Sequence, residues 1–417
     1  MHERSLILRK VGLGMKFSKR TEWNVEESEL ARAHRERLAA GPLVADLTAS
    51  NPTRCGFHFP EDLLAPLADL AVLDYDPDPK GSLTAREAVC RYYADHGVGV
   101  EPDRIVLTTS TSEAYSYLFK LLCDPGDAIL APQPSYPLFD FLTDAEVVKL
   151  AHAPLVYDHG WQLDMEGLRR QITADTRAVV LVHPNNPTGH FTKADEAREL
   201  ADVCREHGLA LIVDEVFLDY GLDLGKGDYR SFAALALDVP VFIVSGISKI
   251  CGLPQMKCAW LAAIGPGTDE ALGRLEVLAD TYLSMNAPIQ RALPVWLEWR
   301  SEMQEQILER VRGNLQELDR ALAVSDGLVN RLEVEGGWYA ILRIPAVQPD
   351  DETVRELLDL GVWVQPGHFF GMGESGWLVV SLLTRPEEFS TGIAVLLGYI
   401  DRNQESYQRA RIVKRSL

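Results

Sequence analysis

Lys249 stands in SGISKICGLPQMK, a loop rich in small residues after the apolar run VFIVS (241–245). A lysine in a cationic, partly desolvated place loses its proton more easily, and the free amine then attacks a carbonyl carbon. Ser245 and Ser248 flank it with hydroxyl donors, and Lys257 lies eight residues on, at the entry of the next apolar run. This is the set that a Schiff-base lysine with an attached phosphate site needs. A lone lysine at a strand end is ordinarily a solvated surface residue, so the neighbours carry the distinction.

Four other stretches bear on the same chemistry. Asp214 closes LALIVD, just before Glu215. A carboxylate at the end of a buried strand is costly unless a cation or several donors meet it. It either caps the following segment or faces a bound pyridine ring, whose nitrogen it would keep protonated so that the ring acts as an electron sink. HPNNPTGH (183–190) follows RAVVLV. It makes a good turn on composition alone, and after a buried strand it also brings the Asn186 amide to a ligand oxygen. LTTSTSEAY (107–115) opens a helix, where the hydroxyls and N–H groups of Ser110, Thr111 and Ser112 either cap it or receive an anion. In APQPSYPLF (131–139), Tyr136 and Phe139 are core aromatics or offer a face to a flat heterocycle.

The elements that must hold these residues are short β-branched runs alternating with helical stretches between Arg104 and Gly265. The runs are 104–108, 127–131, 145–151, 177–182, 209–213, 241–245 and 257–263. Their near-continuous apolarity predicts strands buried on both faces, hence a mostly parallel sheet with helical crossovers. Helical spacing covers 112–122 and 193–208, the second closed by Gly208. Helix near 25–40, long helices from 288 to about 323, and strands and a helix through 331–383 predict a smaller α+β domain. The fold class is therefore α/β, a large domain with a mostly parallel, seven-stranded type of sheet plus a smaller α+β domain. The division expected is 55–300 for the large domain, with 1–54 and 301–417 forming the small one. In such sheets ligands sit beyond the carboxyl ends of the strands, where all the residues above fall.

Composition narrows the partners. A net charge of −20 over 417 residues argues against nucleic acid or an anionic membrane surface. Six cysteines show neither CxxC spacing nor a disulfide framework, so no metal site is expected. The basic start, MHERSLILRKVGLGMKF, has no sustained apolar core before a cleavage site, and a cytoplasmic protein is expected.

Taken in order, Tyr75 in DYDPDPKGSLTAREAV, the Ser/Thr loop at 110–112, PSYP, PNNPTG, DEVF and SGISK with its later lysine resemble the fold-type-I pyridoxal-phosphate enzymes of the class I/II aminotransferase family. The similarity runs from about Asn51 to the C-terminus; each motif alone is weak, but the ordered set is specific. The resemblance implies a pyridoxal 5'-phosphate enzyme with a Schiff base on Lys249, moving an amino group between an amino donor and an oxo-acid. A lyase or decarboxylase on the same scaffold would use the same residues. Carried over, Asp214 pairs with the ring nitrogen, Asn186 with the phenolic oxygen, and Tyr136 stacks on the ring. Ser110, Thr111, Ser248 and Lys257 hold the phosphate. Tyr75 reaches in from a second copy, which implies a homodimer with shared active sites, and Ser50, Asn186 and Arg385 are the substrate-side candidates.

Several positions depart from the family pattern. Lys257 replaces the usual Arg, keeping the charge but losing the bidentate fork. Gly246 falls where a phosphate-binding Ser is common, leaving Ser245 or Ser248 to compensate. Ser110 and Ser50 replace frequent glycines. Val379, in GWLVVSLLTR, occupies the position of the Arg that clamps the substrate α-carboxylate, and an apolar side chain cannot make paired charge-assisted bonds. Either Arg385 takes over or the substrate lacks that contact. Phe217 stands where a Tyr donates to the phenolic oxygen, so the Lys249 Schiff base should hold its proton to higher pH than with that donor. Introducing the hydroxyl by Phe217→Tyr should lower the pH midpoint of the bound cofactor's absorbance change; a midpoint that does not move refutes this.

Overall fold

The computed structural model describes residues 15–222, 230–283, 285–373 and 375–415. The basic start discussed above, residues 1–14, lies outside the described residues. The chain divides into two compact units, one of Ser50–Arg312 with Glu333–Tyr339, the other of Met1–Ala49, Gly313–Leu332 and Ala340–Leu417. The divisions fall at 49/50, 312/313, 332/333 and 339/340, the second of them inside the long helix Ala287–Val324.

The first unit is built on an eight-stranded sheet. Across it lie Ile105–Thr108, Ala259–Ile264, Val241–Gly246, Ala210–Asp214, Thr176–Val182, Ala128–Gln133, Lys149–Tyr157 and Trp161–Leu163. The expected seven are present; the eighth is the short return arm of a hairpin on Lys149–Tyr157. Ala259–Ile264 and Trp161–Leu163 run against their neighbours, and the other neighbouring pairs are parallel. One expected strand, 145–151, starts later than its apolarity suggested. Helix Leu138–Glu146 takes its first residues, and Val147 ends that helix in the left-handed conformation.

The continuous apolar runs have a simple structural reason. Leu211, Val213, Val179, Leu181, Val241 and Ile243 fall in one core cluster, whereas Ile212, Ala178, Val180, Val182, Phe242 and Val244 fall in the other. Successive strand side chains point to opposite faces, and both faces are covered, so neither can be polar. Helix Ala194–His207 ends as the sequence indicated, with Gly208 at φ 65° accepting the left-handed cap.

A four-stranded sheet, in the second unit except for Tyr339, is ordered Asn330–Arg331, Tyr339–Arg343, Trp377–Ser381, Gln365–Pro366, and a separate parallel pair joins Ala45–Asp46 to Val362–Trp363. Helix Glu29–Ala40 is close to the span expected at 25–40, and Asp350–Asp359 is the helix expected within 331–383. No element is expected after Leu383 from apolar spacing, yet Pro386–Arg415 is helical, with Pro386 at its first position and Glu387 and Glu388 in its first turn. No helix among the described residues is long and apolar enough to cross a membrane.

Segment Glu333–Tyr339 is fixed to the large sheet by a partly buried ion cluster. His190, at the end of the PNNPTGH turn, lies 3.2 Å from Glu196 and 3.4 Å from Glu335. Lys193 pairs with Glu335, which also accepts from the Phe191 amide at 3.0 Å. Gly189 cannot carry a side chain, since a Cβ would lie 2.6 Å from the Gly336 carbonyl. Burial acts to raise Glu335, but bonds from His190, Lys193 and the Phe191 amide outweigh it and bring its pKa to about 2. Its contribution to stability is therefore complete above the unfolded value near 4.3 and lost as pH falls toward 2. Burial opposes the charge on His190 but Glu196 and Glu335 raise its pKa, so its share is complete below about 6.5 and fades at higher pH. Glu335→Gln should cost roughly 1–3 kcal/mol at pH 5.5, with a Tm several degrees lower. The gap should narrow at pH 3; a gap equal at both pH values rules out a charge origin.

Candidate active site

Asp214 and Lys249 come from neighbouring parallel strands. Asp214 is the last residue of Ala210–Asp214, opposite Val244, and Lys249 sits in the single turn Ile247–Ile250 that follows Val241–Gly246. Asp214 is 8% exposed; Oδ1 accepts from the Val216 amide at 3.0 Å and Oδ2 from the Tyr115 hydroxyl at 3.1 Å. Burial raises its pKa to about 6, against those two donors and the Lys249 charge. Lys249 is pushed down to about 8, again by burial, with Asp214 opposing. Its amine lies 4.8 Å from the Trp338 ring centroid and 5.5 Å from that of Phe217. The Tyr220 hydroxyl donates to the Lys249 carbonyl at 2.6 Å, fixing the turn. Glu215, one residue on, points away and accepts from Ser231 and the Phe232 amide at 2.8 and 2.7 Å.

The PNNPTG turn divides its two asparagines in the same way. Asn185 is buried and structural, donating to the Pro134 carbonyl at 3.0 Å and to Thr188 at 2.9 Å, and accepting from Ser135 at 3.3 Å. Asn186 is left with a buried Oδ1 that has no hydrogen-bond partner. Buried amides are normally satisfied, so an orphan at this place marks a position for a ligand atom. Tyr136 lies within electrostatic reach of Asp214 and is held protonated by burial and by that carboxylate. Phe139, the other aromatic of the loop, is 5% exposed and packs edge-on to Tyr115 at 5.3 Å, so it belongs to the core. Ser50 hydrogen-bonds Tyr339, whose pKa burial raises and Ser50 draws back.

The anion side is built from loop and helix ends. Ser110 caps helix Thr111–Leu122, accepting from the Glu113 amide at 3.2 Å, while Glu113 accepts from the Thr109 amide at 2.6 Å. That capping box consumes two amides and leaves the first helical N–H groups, beginning at Thr111, for an anion. Lys257, exposed and at φ 53°, makes no ion pair among the described residues. Ser248 is partly exposed, but Ser245 is fully buried and faces the Glu215 carbonyl at 3.4 Å, which removes it as a compensating phosphate donor. Gly246 has a steric cause, since a Cβ would lie 2.8 Å from both the Cys258 carbonyl and the Ala259 Cβ. Tyr75 is 78% exposed, in the stretch before helix Leu83–Asp95.

In the second unit, Val379 is fully buried in Trp377–Ser381, opposite Gln365, whose side-chain oxygen is itself buried without a partner. Arg385 is exposed just before helix Pro386–Arg415. Sequence reasoning missed Tyr115, Tyr220, Trp338 and the Ser50–Tyr339 bond. Tyr115 had a signal, lying one turn inside the helix that the Ser/Thr loop opens. Trp338 had none, because only the returning segment brings it to Lys249.

The family model "Aminotransferase class I and II" matches residues 74–395. Similar proteins include an alanine aminotransferase of Mycobacterium tuberculosis (strain ATCC 25618 / H37Rv), 30% identical over 339 residues that cover 78% of each chain. The glutamate-pyruvate aminotransferase AlaA of Escherichia coli K12 is 29% identical over 257 residues, 61% of this chain and 63% of that one. Among solved structures, the alanine aminotransferase from Pyrococcus furiosus is 25% identical with TM-score 0.82, covering 93% of this chain and all 100% of that one. The chain belongs to the class I and II aminotransferases, and it is a pyridoxal-phosphate-dependent aminotransferase. None of these similarities favours the lyase or decarboxylase alternative.

The residues present fit the cofactor. A buried carboxylate, an amine of lowered basicity, an orphaned amide and free helix N–H groups each match one part of it. Gly246→Ser tests the steric account of the missing phosphate serine. It should cost about 1–3 kcal/mol through overpacking, measured by chemical denaturation; a variant of unchanged stability means that the strands yield there at no cost.

Proposed function

We propose that Lys249 holds pyridoxal phosphate covalently and moves the proton at the amino donor's Cα, with Asp214 holding the ring-nitrogen proton. The single observation behind this is the placement of a buried carboxylate, Asp214, at the end of one strand and of Lys249 in the turn that follows the adjacent parallel strand. When bound, the cofactor supplies a carbonyl carbon for the donor's amino group and a cationic ring that withdraws electrons from Cα. With its pKa near 8, Lys249 is partly neutral at physiological pH and serves as a general base after releasing the cofactor. With its amide turned so that Nδ2 takes the place of the orphaned Oδ1, Asn186 donates to the phenolic oxygen, and Tyr136 covers the ring. Ser110, Thr111, Ser248 and Lys257 hold the phosphate.

The donor and acceptor are taken to be an amino acid or amine and an oxo-acid, in keeping with relatives named for alanine and for glutamate and pyruvate. Ser50 and Asn186 lie on the substrate side. The buried Val379 gives no charge for an α-carboxylate, which leaves Arg385 as the nearest cation in sequence. A homodimer in which Tyr75 serves the neighbouring site is supported by the exposure of Leu70, Leu73 and Tyr75 along one stretch. A cytoplasmic setting is supported by six thiols that form no disulfide. The large domain, roughly 55–300 in sequence terms, carries the cofactor.

Incubation with pyridoxal phosphate, borohydride reduction and peptide mapping should place the adduct on Lys249 and lose it in Lys249→Ala. An adduct elsewhere, or none, overturns the assignment. In single-turnover assays, amines lacking an α-carboxylate should react within roughly tenfold of α-amino acids, since the charge-assisted clamp that would separate them is missing. A far larger preference for α-amino acids shows that another cation replaces it.

A further inference from the structure

Asp214 has two protein donors among the described residues, the Val216 amide on Oδ1 and the Tyr115 hydroxyl on Oδ2. The first is backbone and comes with the turn. The second is a side chain from a different element, helix Thr111–Leu122, aimed at the carboxylate from within the core. Tyr115 is 2% exposed, packed edge-on to Phe139 at 5.3 Å and tilted against Phe119 at 5.9 Å, so its hydroxyl has no other place to go. A tyrosine whose ring alone were needed would be as well served by phenylalanine, and the hydroxyl would be a buried polar group added for nothing.

We infer that Tyr115 is a positioning residue for the reaction: its hydroxyl holds the Asp214 carboxylate in the orientation and the ionised form that grip the cofactor's ring nitrogen. The inference rests on the assignment of Asp214 proposed above. The hydrogen bond acts in two ways. It fixes Oδ2, so the carboxylate does not rotate when the ring nitrogen arrives. It also withdraws electron density from a desolvated anion, so the proton shared between ring and carboxylate stays on the ring. The charged and titratable groups near Asp214 are Tyr115 from its helix, Lys249 from the turn after the adjacent strand, Tyr136 from the Pro-rich loop and, with its carboxylate turned away, Glu215 next along the chain. Of these, Tyr115 alone donates a side-chain hydrogen bond to the carboxylate among the described residues.

The test is a cycle of Tyr115→Phe, Asp214→Asn and the double variant in the full chain, each stripped of cofactor and titrated with pyridoxal phosphate from pH 5 to 8.5. In the unaltered chain, affinity should fall as pH drops through about 6, where Asp214 takes a proton. Tyr115→Phe should weaken binding about tenfold at pH 7 and move that acid limb upward by roughly one pH unit. Asp214→Asn should abolish the acid limb, and adding Tyr115→Phe to it should change affinity by no more than about twofold. An unmoved acid limb in Tyr115→Phe, or an equal loss in both backgrounds, overturns the role. Should Tyr115→Phe not fold, 3-fluorotyrosine at 115, a stronger donor of the same shape, should move the limb downward; no movement overturns the inference. If the unaltered chain takes up no cofactor on Lys249, the proposed function falls as well. If it does and only Tyr115→Phe is silent, the role of Tyr115 alone is lost.

Discussion

A buried carboxylate ends one parallel strand, a half-buried lysine follows the end of the next, and each charge favours the other. Burial alone would neutralise both, protonating Asp214 and deprotonating Lys249. For Asp214 the Val216 and Tyr115 hydrogen bonds oppose this first and the Lys249 charge adds to them, and for Lys249 the Asp214 charge opposes it, leaving pKa values near 6 and 8 and a pH window between them in which both are charged. Neither group could stand alone at this depth without a large desolvation cost. Parallel register sets the arrangement, since Asp214 ends its strand opposite Val244 and Lys249 follows one turn later.

Around that pair, neighbouring residues of one type take opposite tasks. Asp214 faces the site, whereas Glu215 ties down Ser231 and Phe232. Asn186 keeps an unpaired oxygen, whereas Asn185 binds the turn to the Pro134 carbonyl. Ser248 remains partly exposed, whereas Ser245 is buried against the Glu215 carbonyl. In each case one member braces the loop and the other is left nearer the site. His183 is a further brace. Burial lowers its pKa to about 3, and it accepts from the Thr192 amide while sitting edge-on to Phe191 and Phe232.

The returning segment Glu333–Tyr339 completes the site although it lies far along the chain. Its Glu335 pairs with His190 and Lys193, its Gly336 fits against Gly189, and its Trp338 covers the Lys249 amine. The ion cluster and the glycine contacts hold in place the segment that carries that tryptophan. They also account for two residues, His190 and Gly189, that on sequence alone were only the end of a turn.

Much of this protein was legible before any coordinates. Runs apolar at every position had to be strands covered on both sides, and the ordered motifs at 136, 186, 214 and 249 had to meet at the strand ends, because chain direction and strand period fix where such residues emerge. Helix ends were nearly as plain, since Gly208 and Ser110 mark them by their own backbone and side-chain chemistry. Spacing could not say which of two adjacent like residues faces the site, for that depends on what packs behind each. Nor could it show that Gly246 is imposed by the neighbouring strand, that Tyr115 reaches Asp214 from another element, or that Trp338 closes over Lys249. Those are contacts between residues distant in sequence, and only the folded chain brings them within bonding range.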